Sequence, residues 1–319
     1  MKTQRIPLSK RGFTLMELMV AMAITSIIVT VLVSITSIAI DTWNRSRSEL
    51  RASRQAKAMV DTMARDLEAL VTRRGNENEW LSAESPTDTI GEKLESSNSA
   101  DLIFFSGSTE RYGGEIGTAT DLGGDVSCIG YRLIYDNPIK KDEKPRTFIL
   151  RRHLVDPKPT FDNLLGKTDL EDAFESGTYW SKLDDVENFV CENVYQFSVT
   201  FHVEVTKAGS GPNSVPTVVT VPVTIGNSSS GQVTKSFKIK GTGIEADTSY
   251  KFEVPPNISV SADDLKAGRI KSLEVSLTVI SDVGIDQLNS NRPFDDDTRK
   301  EFIAKNSYQY SKLIQLPSM

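Results

Sequence analysis

From Leu18 to Ile40 the chain is an unbroken apolar run, free of charge, proline and glycine. Its roughly 23 residues, at about 1.5 Å each, predict a helix some 34 Å long, enough to cross a bilayer core. Beyond Asp41 the pattern stays helical but narrows to one face. Ala52, Ala56, Met59, Met63, Leu67 and Leu70 recur at spacings of three and four, while Arg51, Arg54, Lys57, Asp61, Arg65 and Glu68 fill the other faces. No proline or glycine interrupts Phe13 to Arg74, and Arg73-Arg74-Gly75 is a stop signal, with cations at the negative helix end and a glycine to cap it. One helix of about 60 residues, roughly 90 Å long, is therefore predicted. Its first half belongs in a membrane or helical bundle, and its second half packs on the C-terminal part of the chain.

After Gly75 the period changes. Residues 76–100 are rich in Asn, Glu and Ser without periodicity and read as a long loop. Strands are predicted at Asp101–Ser106, Asp125–Asp136, Arg146–Leu154, Phe189–Val205, Thr217–Ile225, Ser236–Lys240, Tyr250–Val254 and Ile270–Ser281. Gly/Ser/Pro-rich stretches at Ala208–Pro216 and Gly226–Gly231 separate some of them, and Asp295–Lys305 is predicted as a short helix. A long helix followed by antiparallel strands is an α+β order.

Composition adds a constraint on partners. The 319 residues carry a net charge of −6, but residues 1–12 hold four bases and no acid, so the rest stands at −10. An acidic body opposes nucleic-acid binding, which needs a basic face. Two histidines and two cysteines, without zinc-type spacing, give no metal site, and no cofactor is called for.

The apolar run admits three readings. It suits a plain signal anchor. It also suits a secretory signal peptide cut near Ser37-Ile38-Ala39, although the run exceeds the usual core of about 7–15 residues. The third reading starts from Glu17, a carboxylate at the edge of the run where an unpaired charge is costly. In the anchored readings Lys10 and Arg11, ahead of the run, keep the N-terminus cytoplasmic and send the body across the membrane.

Lys10-Arg11-Gly12-Phe13-Thr14-Leu15-Met16-Glu17 resembles the leader of type IV pilins and type II secretion pseudopilins. The resemblance implies a pilin-like fold, with the long helix packed on a mainly antiparallel β-sheet head. It implies cleavage by a prepilin peptidase after Gly12 and N-methylation of the new terminus, Phe13. It further implies that Glu17 pairs with the terminal ammonium of a neighbouring subunit; two buried unlike charges offset part of each other's desolvation. The chain then divides into a leader (1–12), a transmembrane and filament-core helix (13–40), an amphipathic helix (41–74) and a periplasmic head (75–319). The expected location is the bacterial inner membrane, single-pass with a cytoplasmic N-terminus, and later a periplasmic filament. The expected partners are the peptidase, other minor and major pseudopilins, and the inner membrane. No proline accompanies Ser34, Thr36 and Ser37, so mid-helix unwinding is not expected.

Within the head, Ile129–Leu133 followed by Phe148–Arg152 resembles paired strands of J-type minor pseudopilins. Val186–Asn188, Glu192–Val194, Phe197–Val199 and the closing Ile270–Val279 keep the same order. The departure is an insertion at about 207–267, between strands the family brings closer together. The resemblance implies a minor pseudopilin of a type II secretion-like filament, placed at its tip. A minor type IV pilus subunit with a priming or adhesive role is the alternative, and a membrane-anchored periplasmic enzyme a more distant one.

Candidate chemistry in the head is sparse. Cys128 and Cys191 fall on predicted strands facing an oxidising compartment, where a disulfide would close a loop of about 60 residues and contribute about 2–4 kcal/mol; two buried thiols are the alternative. His153 and His202 lack a Gly-x-Ser-x-Gly elbow or any other nucleophile motif and read as ordinary strand residues. The acidic groups at Asp121–Asp125, Asp184-Asp185 and Asp295-Asp296-Asp297 lack EF-hand spacing and read as solvated loops. Trp80 and Trp180 read as packing residues. The chain is expected to be a structural subunit and not an enzyme.

Overall fold

The structure, a computed structural model, describes residues 14–317 apart from 97, 108–123, 142, 184, 208–215, 227–233, 249–250, 255–257 and 290–294. Helix α1 runs continuously from Leu15 to Glu68. The chain divides into two compact units, Met1–Ser48 and Glu49–Met319. In the first unit α1 exposes its apolar residues all round. In the second, Ala52, Ala56, Met59, Met63 and Leu67 are buried, as their spacing predicts. The helix ends six residues before Arg74, because a sheet takes over the backbone. Leu70 bridges Ser106, and Val71 N–H donates to the Phe105 carbonyl at 2.9 Å.

The head of the second unit is built from β1 (Glu79–Glu84), β2 (Asp101–Ser106), β3 (Ser127–Asp136), β4 (Thr147–Val155), β5 (Phe189–Glu192), β6 (Val194–Lys207) and β7 (Thr217–Thr224). It continues through β8 (Ser236–Lys240), β9 (Gly243–Asp247), β10 (Phe252–Val254), β11 (Ile258–Val260), β12 (Arg269–Ile280) and β13 (Ser307–Gln315). Shorter helices join them, among them α2 (Leu170–Ser176), α3 (Ala262–Lys266), α4 (Asp282–Asn289) and α5 (Asp296–Asn306), with briefer helical turns at Pro157–Leu164 and Tyr179–Lys182. The strands form a seven-stranded sheet, β5-β4-β3-β2-β1-β8-β9, and a four-stranded sheet, β13-β12-β6-β7, with β10 and β11 as a separate hairpin. Among the described residues every pairing of these strands is antiparallel, so the molecule is an α+β protein of pilin-like architecture.

The two sheets and the second half of α1 enclose the main core; Phe201 of β6 stacks on Phe237 of β8 at 4.0 Å between ring centroids. The opposite face of the seven-stranded sheet is covered by residues 157–183, which bury Phe174, Tyr179 and Trp180 against Trp80, Phe105 and Cys128. Coverage on both faces explains why β2 reads Asp-Leu-Ile-Phe-Phe-Ser without alternation: all six residues are buried. It also explains Gly130 in mid-strand, where a Cβ would sit 2.7 Å from the Phe174 ring.

The predicted strand Phe189–Val205 is two strands. Asn193, at φ 64°, breaks it and passes the chain from one sheet to the other, a left-handed conformation that asparagine tolerates better than branched residues. The segment 207–267 is no appendage. It supplies β7 to one sheet and β8–β9 to the other, and buries Phe237, Ile239 and Ile244 in the shared core.

Candidate functional site

At its start α1 is closed by its own residues. Thr14 Oγ1 accepts from Glu17 N–H at 3.2 Å, while the Glu17 carboxylate accepts from Thr14 N–H at 2.9 Å and from its hydroxyl at 3.0 Å. This is a capping box, and it places the carboxylate at the positive end of the helix dipole. Gly12 and Phe13, the predicted cleavage and methylation positions, lie outside the described residues. Downstream, the hydroxyls of Thr25, Thr30, Ser34, Thr36 and Thr42 donate to the carbonyls of Ala21, Ser26, Thr30, Leu32 and Ile38, at 2.8–3.0 Å. Each of these polar side chains is thereby satisfied inside the helix, so the segment presents a hydrocarbon surface despite its hydroxyls. Leu15 is 77% exposed and Ile38 66%, and every residue from Thr14 to Arg47 is exposed. The helix is long and apolar enough to cross a membrane.

Within the head, the second half of α1 is tied to the sheet by a buried ion pair. Asp66 accepts two bonds from Arg152 of β4, at 2.7 and 2.8 Å, and a third from the Tyr131 hydroxyl of β3. All three residues are buried, and burial pushes the Tyr131 hydroxyl pKa well up, with the Asp66 charge adding to it. The Asp66 carbonyl also accepts from Ser106 of β2 at 2.8 Å. Fork-to-carboxylate pairing of this kind fixes orientation as well as distance. Nearer the surface, Arg51 pairs with Glu192 at 2.6 Å and Asp61 with Lys312 at 2.8 Å, so α1 also reaches β5 and β13.

A cleft of about 650 Å³ opens beyond the end of β1. At its wall Arg132 bonds Asp101 and Glu171, at 2.6 and 2.9 Å, and lies 3.7 Å over the Trp180 ring. Burial, with the Asp101 charge second, raises the Glu171 pKa to about 7. Glu79, fully buried 3.8 Å from Lys238, is likewise pushed by burial to about 7. The Glu171 carboxylate ties the 157–183 strap to β3 through Arg132, whereas Glu79 faces Lys238 within the sheet.

The remaining candidates from sequence lie apart from one another. Cys128 and Cys191 are both buried and unbonded, which replaces the candidate disulfide with two free thiols. Their register explains why. Cys128 lies opposite Val155, and Cys191 opposite Leu150 five residues away on β4, two strands over, and the two thiols pack in different clusters. Strand spacing alone puts their Cα atoms roughly 19 Å apart, far beyond bonding reach. His153 stacks on Tyr179 with Nδ1 3.5 Å from Asn188, and His202 lies 3.7 Å from Glu274 on a different sheet. Among the described residues no three His, Cys, Asp or Glu side chains are placed to share a metal ion. Asp121 and Asp184 lie outside those residues. Trp80 and Trp180 are buried in the cluster under the strap.

Sequence reading missed the Asp66–Arg152 pair, though a signal existed. Asp66 lies on the apolar stripe, three residues after Met63 and four before Leu70, and Arg152 lies inside the predicted strand Arg146–Leu154.

The prokaryotic N-terminal methylation motif matches residues 8–33, a segment that includes Gly12, Phe13, Glu17 and the start of the apolar helix. The match supports a type IV pilin-like protein. The motif implies processing by a prepilin peptidase and assembly with other pilin-like subunits, and it points to a structural subunit. No curated protein and no solved structure matches the chain.

Proposed function

We propose that the chain is a minor pseudopilin of a type II secretion-like filament, most like the J-type subunits. In this reading residues 1–12 are removed by a prepilin peptidase and Phe13 becomes the methylated terminus. The first half of α1 anchors the subunit in the inner membrane and later packs among neighbouring helices, with the head on the periplasmic side. The observation that carries it is the first half of α1 itself: an apolar surface open all round, behind a matched prepilin motif, with one carboxylate at its start. Such a surface in water is unfavourable and finds its partner in lipid or in other helices. Glu17 exchanges its internal cap for a neighbour's ammonium when the helices bundle.

The J-type assignment draws support from pairing. The segments that carry the head resemblance are neighbours: Leu133 of β3 lies opposite Leu150 of β4, and Val199 of β6 opposite Val275 of β12. The buried Asp66–Arg152 pair suits a subunit that transmits force, because it locks the helical spine to the sheet.

Purification of the full chain from its native membrane, after reversible cross-linking, tests this reading. Recovery of other pseudopilins, abolished by Glu17→Ala with membrane insertion intact, is the expected result. Recovery of pilus subunits alone would transfer the chain to the pilus. Recovery of neither, with equal behaviour of the variant, would reject both.

A further inference from the structure

In a chain of net charge −6, one cleft in the head is lined by cations without a single carboxylate. It encloses about 240 Å³ where three segments meet: the stretch after α1, the β8–β9 turn and the turn between α3 and β12. Arg73, Arg74, Lys240, Lys266 and Arg269 surround it. Lys240 pairs with Glu245 at 2.6 Å, and Glu245 also feels the Lys266 charge. Arg73, Arg74 and Arg269 are exposed and have no ion-pair partner among the described residues.

The cleft is built, since its walls are bound to each other. Gly75 N–H donates to the Gly241 carbonyl at 3.0 Å, and Gly241 N–H to the Asn78 carbonyl at 3.1 Å. On the other side the β9 residue Gly243, at φ +134°, lies so close to α3 that a Cβ would sit 2.3 Å from the Lys266 carbonyl oxygen. The floor is aliphatic, made of Ile239, Ile244 and Ile270.

We propose that this cleft docks a short acidic segment of a partner polypeptide, with one carboxylate held by the arginines and an aliphatic neighbour on the isoleucine floor. Guanidinium forks match a carboxylate in two-bond geometry, and three unanswered forks around one opening leave that demand unmet. The aliphatic floor favours a peptide over a bare inorganic anion. The acidic remainder of the chain favours a short segment over an extended polyanion or an anionic bilayer, either of which would overrun the cleft onto repelling surface. The proposal does not depend on the filament reading and survives its failure.

Isothermal titration of the full chain in a neutral detergent tests it. The probe is a short peptide of alternating glutamate and leucine, compared with inorganic phosphate and phosphatidylglycerol vesicles. The expected result is saturable peptide binding that weakens with salt. It falls by about tenfold or more in the triple variant Arg73→Gln, Arg74→Gln, Arg269→Gln. It stays unchanged in Arg54→Gln, Lys57→Gln, Lys300→Gln, which removes equal charge elsewhere. Should the first triple variant melt early, the Arg→Lys triple keeps the charge, removes the forks and still weakens binding severalfold. Absent peptide binding, equal losses in both glutamine variants, or arginine-dependent binding of phosphate or vesicles as strong as that of peptide would each overturn the proposal.

Discussion

The two halves of α1 share one backbone conformation and solve opposite problems. From Leu15 to Ile40 every face is apolar, and none is covered by the chain that carries it. From Ala52 to Leu67 a single stripe is apolar and wholly covered, while charges at other positions reach Glu192 and Lys312. The first half meets its polar needs internally: a capping box at Thr14 and Glu17 closes its start, and its hydroxyls are satisfied on its own carbonyls. In the second half it is secured by tertiary packing. One half is finished only by molecules outside the chain; the other is finished by the head. A helical segment stable in itself yet incomplete in burial is what an assembling subunit needs.

The largest effect that sharpens this contrast is expected at Asp66. Asp66→Ala removes the carboxylate that accepts two bonds from buried Arg152 and should cost the head about 3–5 kcal/mol. Urea unfolding of the full chain in detergent, read by the fluorescence of buried Trp80 and Trp180, measures it. Ile28→Ala in the first half should leave the same midpoint unmoved; an equal shift would break the division between the halves.

Next is Met63, fully buried on the covered stripe. Met63→Ala should cost about 2–5 kcal/mol in the same titration, through lost burial and the remaining cavity.

A smaller effect concerns pH. Burial raises the carboxyl pKa of Glu171 and Glu79 from 4.5 to about 7 in the folded head. Between those values the folded state holds more protons than the unfolded one, so stability is lost as pH rises from about 4.5 through 7. Thermal melts across that window should show a falling midpoint, and the double variant Glu171→Gln, Glu79→Gln should flatten the fall. A midpoint that rises with pH would contradict the assignment.

The smallest effect is at Thr14. Thr14→Ala removes half of the capping box and should fray the first turn by about 1 kcal/mol, visible as faster amide exchange at Leu15–Leu18 with no change in the head.

Legibility followed the same division. The α1 stripe was readable because one solvent-facing side alternates with one buried side. The boundaries of β2 emerged directly from its apolar run, and α5 from the Asp295 cap, which accepts from Thr298 N–H at 2.8 Å. By contrast β1 lay inside an apparent loop, since Glu79, Ser82 and Glu84 disguise an interior strand of the large sheet. The half-exposed edge strand β13 was missed although its burial alternates from Gln309 to Gln315, because Lys312 dilutes the apolar face. The strap at 157–183 was missed because its short helices are shaped by the sheet they cover. The end of α1 was set by β2 and not by Arg73-Arg74-Gly75. Within the 207–267 insertion the strands Thr217–Thr224 and Ser236–Lys240 were legible, but not the sheets they join, because strand partners far away in sequence leave no local mark. The cysteines illustrate the same limit: two strand positions in one sheet reveal nothing of their register.

The central claim is that the chain matures as a prepilin-type subunit. Intact mass and N-terminal sequencing of the mature protein from its native membrane test it most directly. The account predicts a chain beginning at N-methylated Phe13, with residues 1–12 gone. A chain beginning near Ile40, or one that still carries Met1 when the prepilin peptidase is present and active, would contradict it.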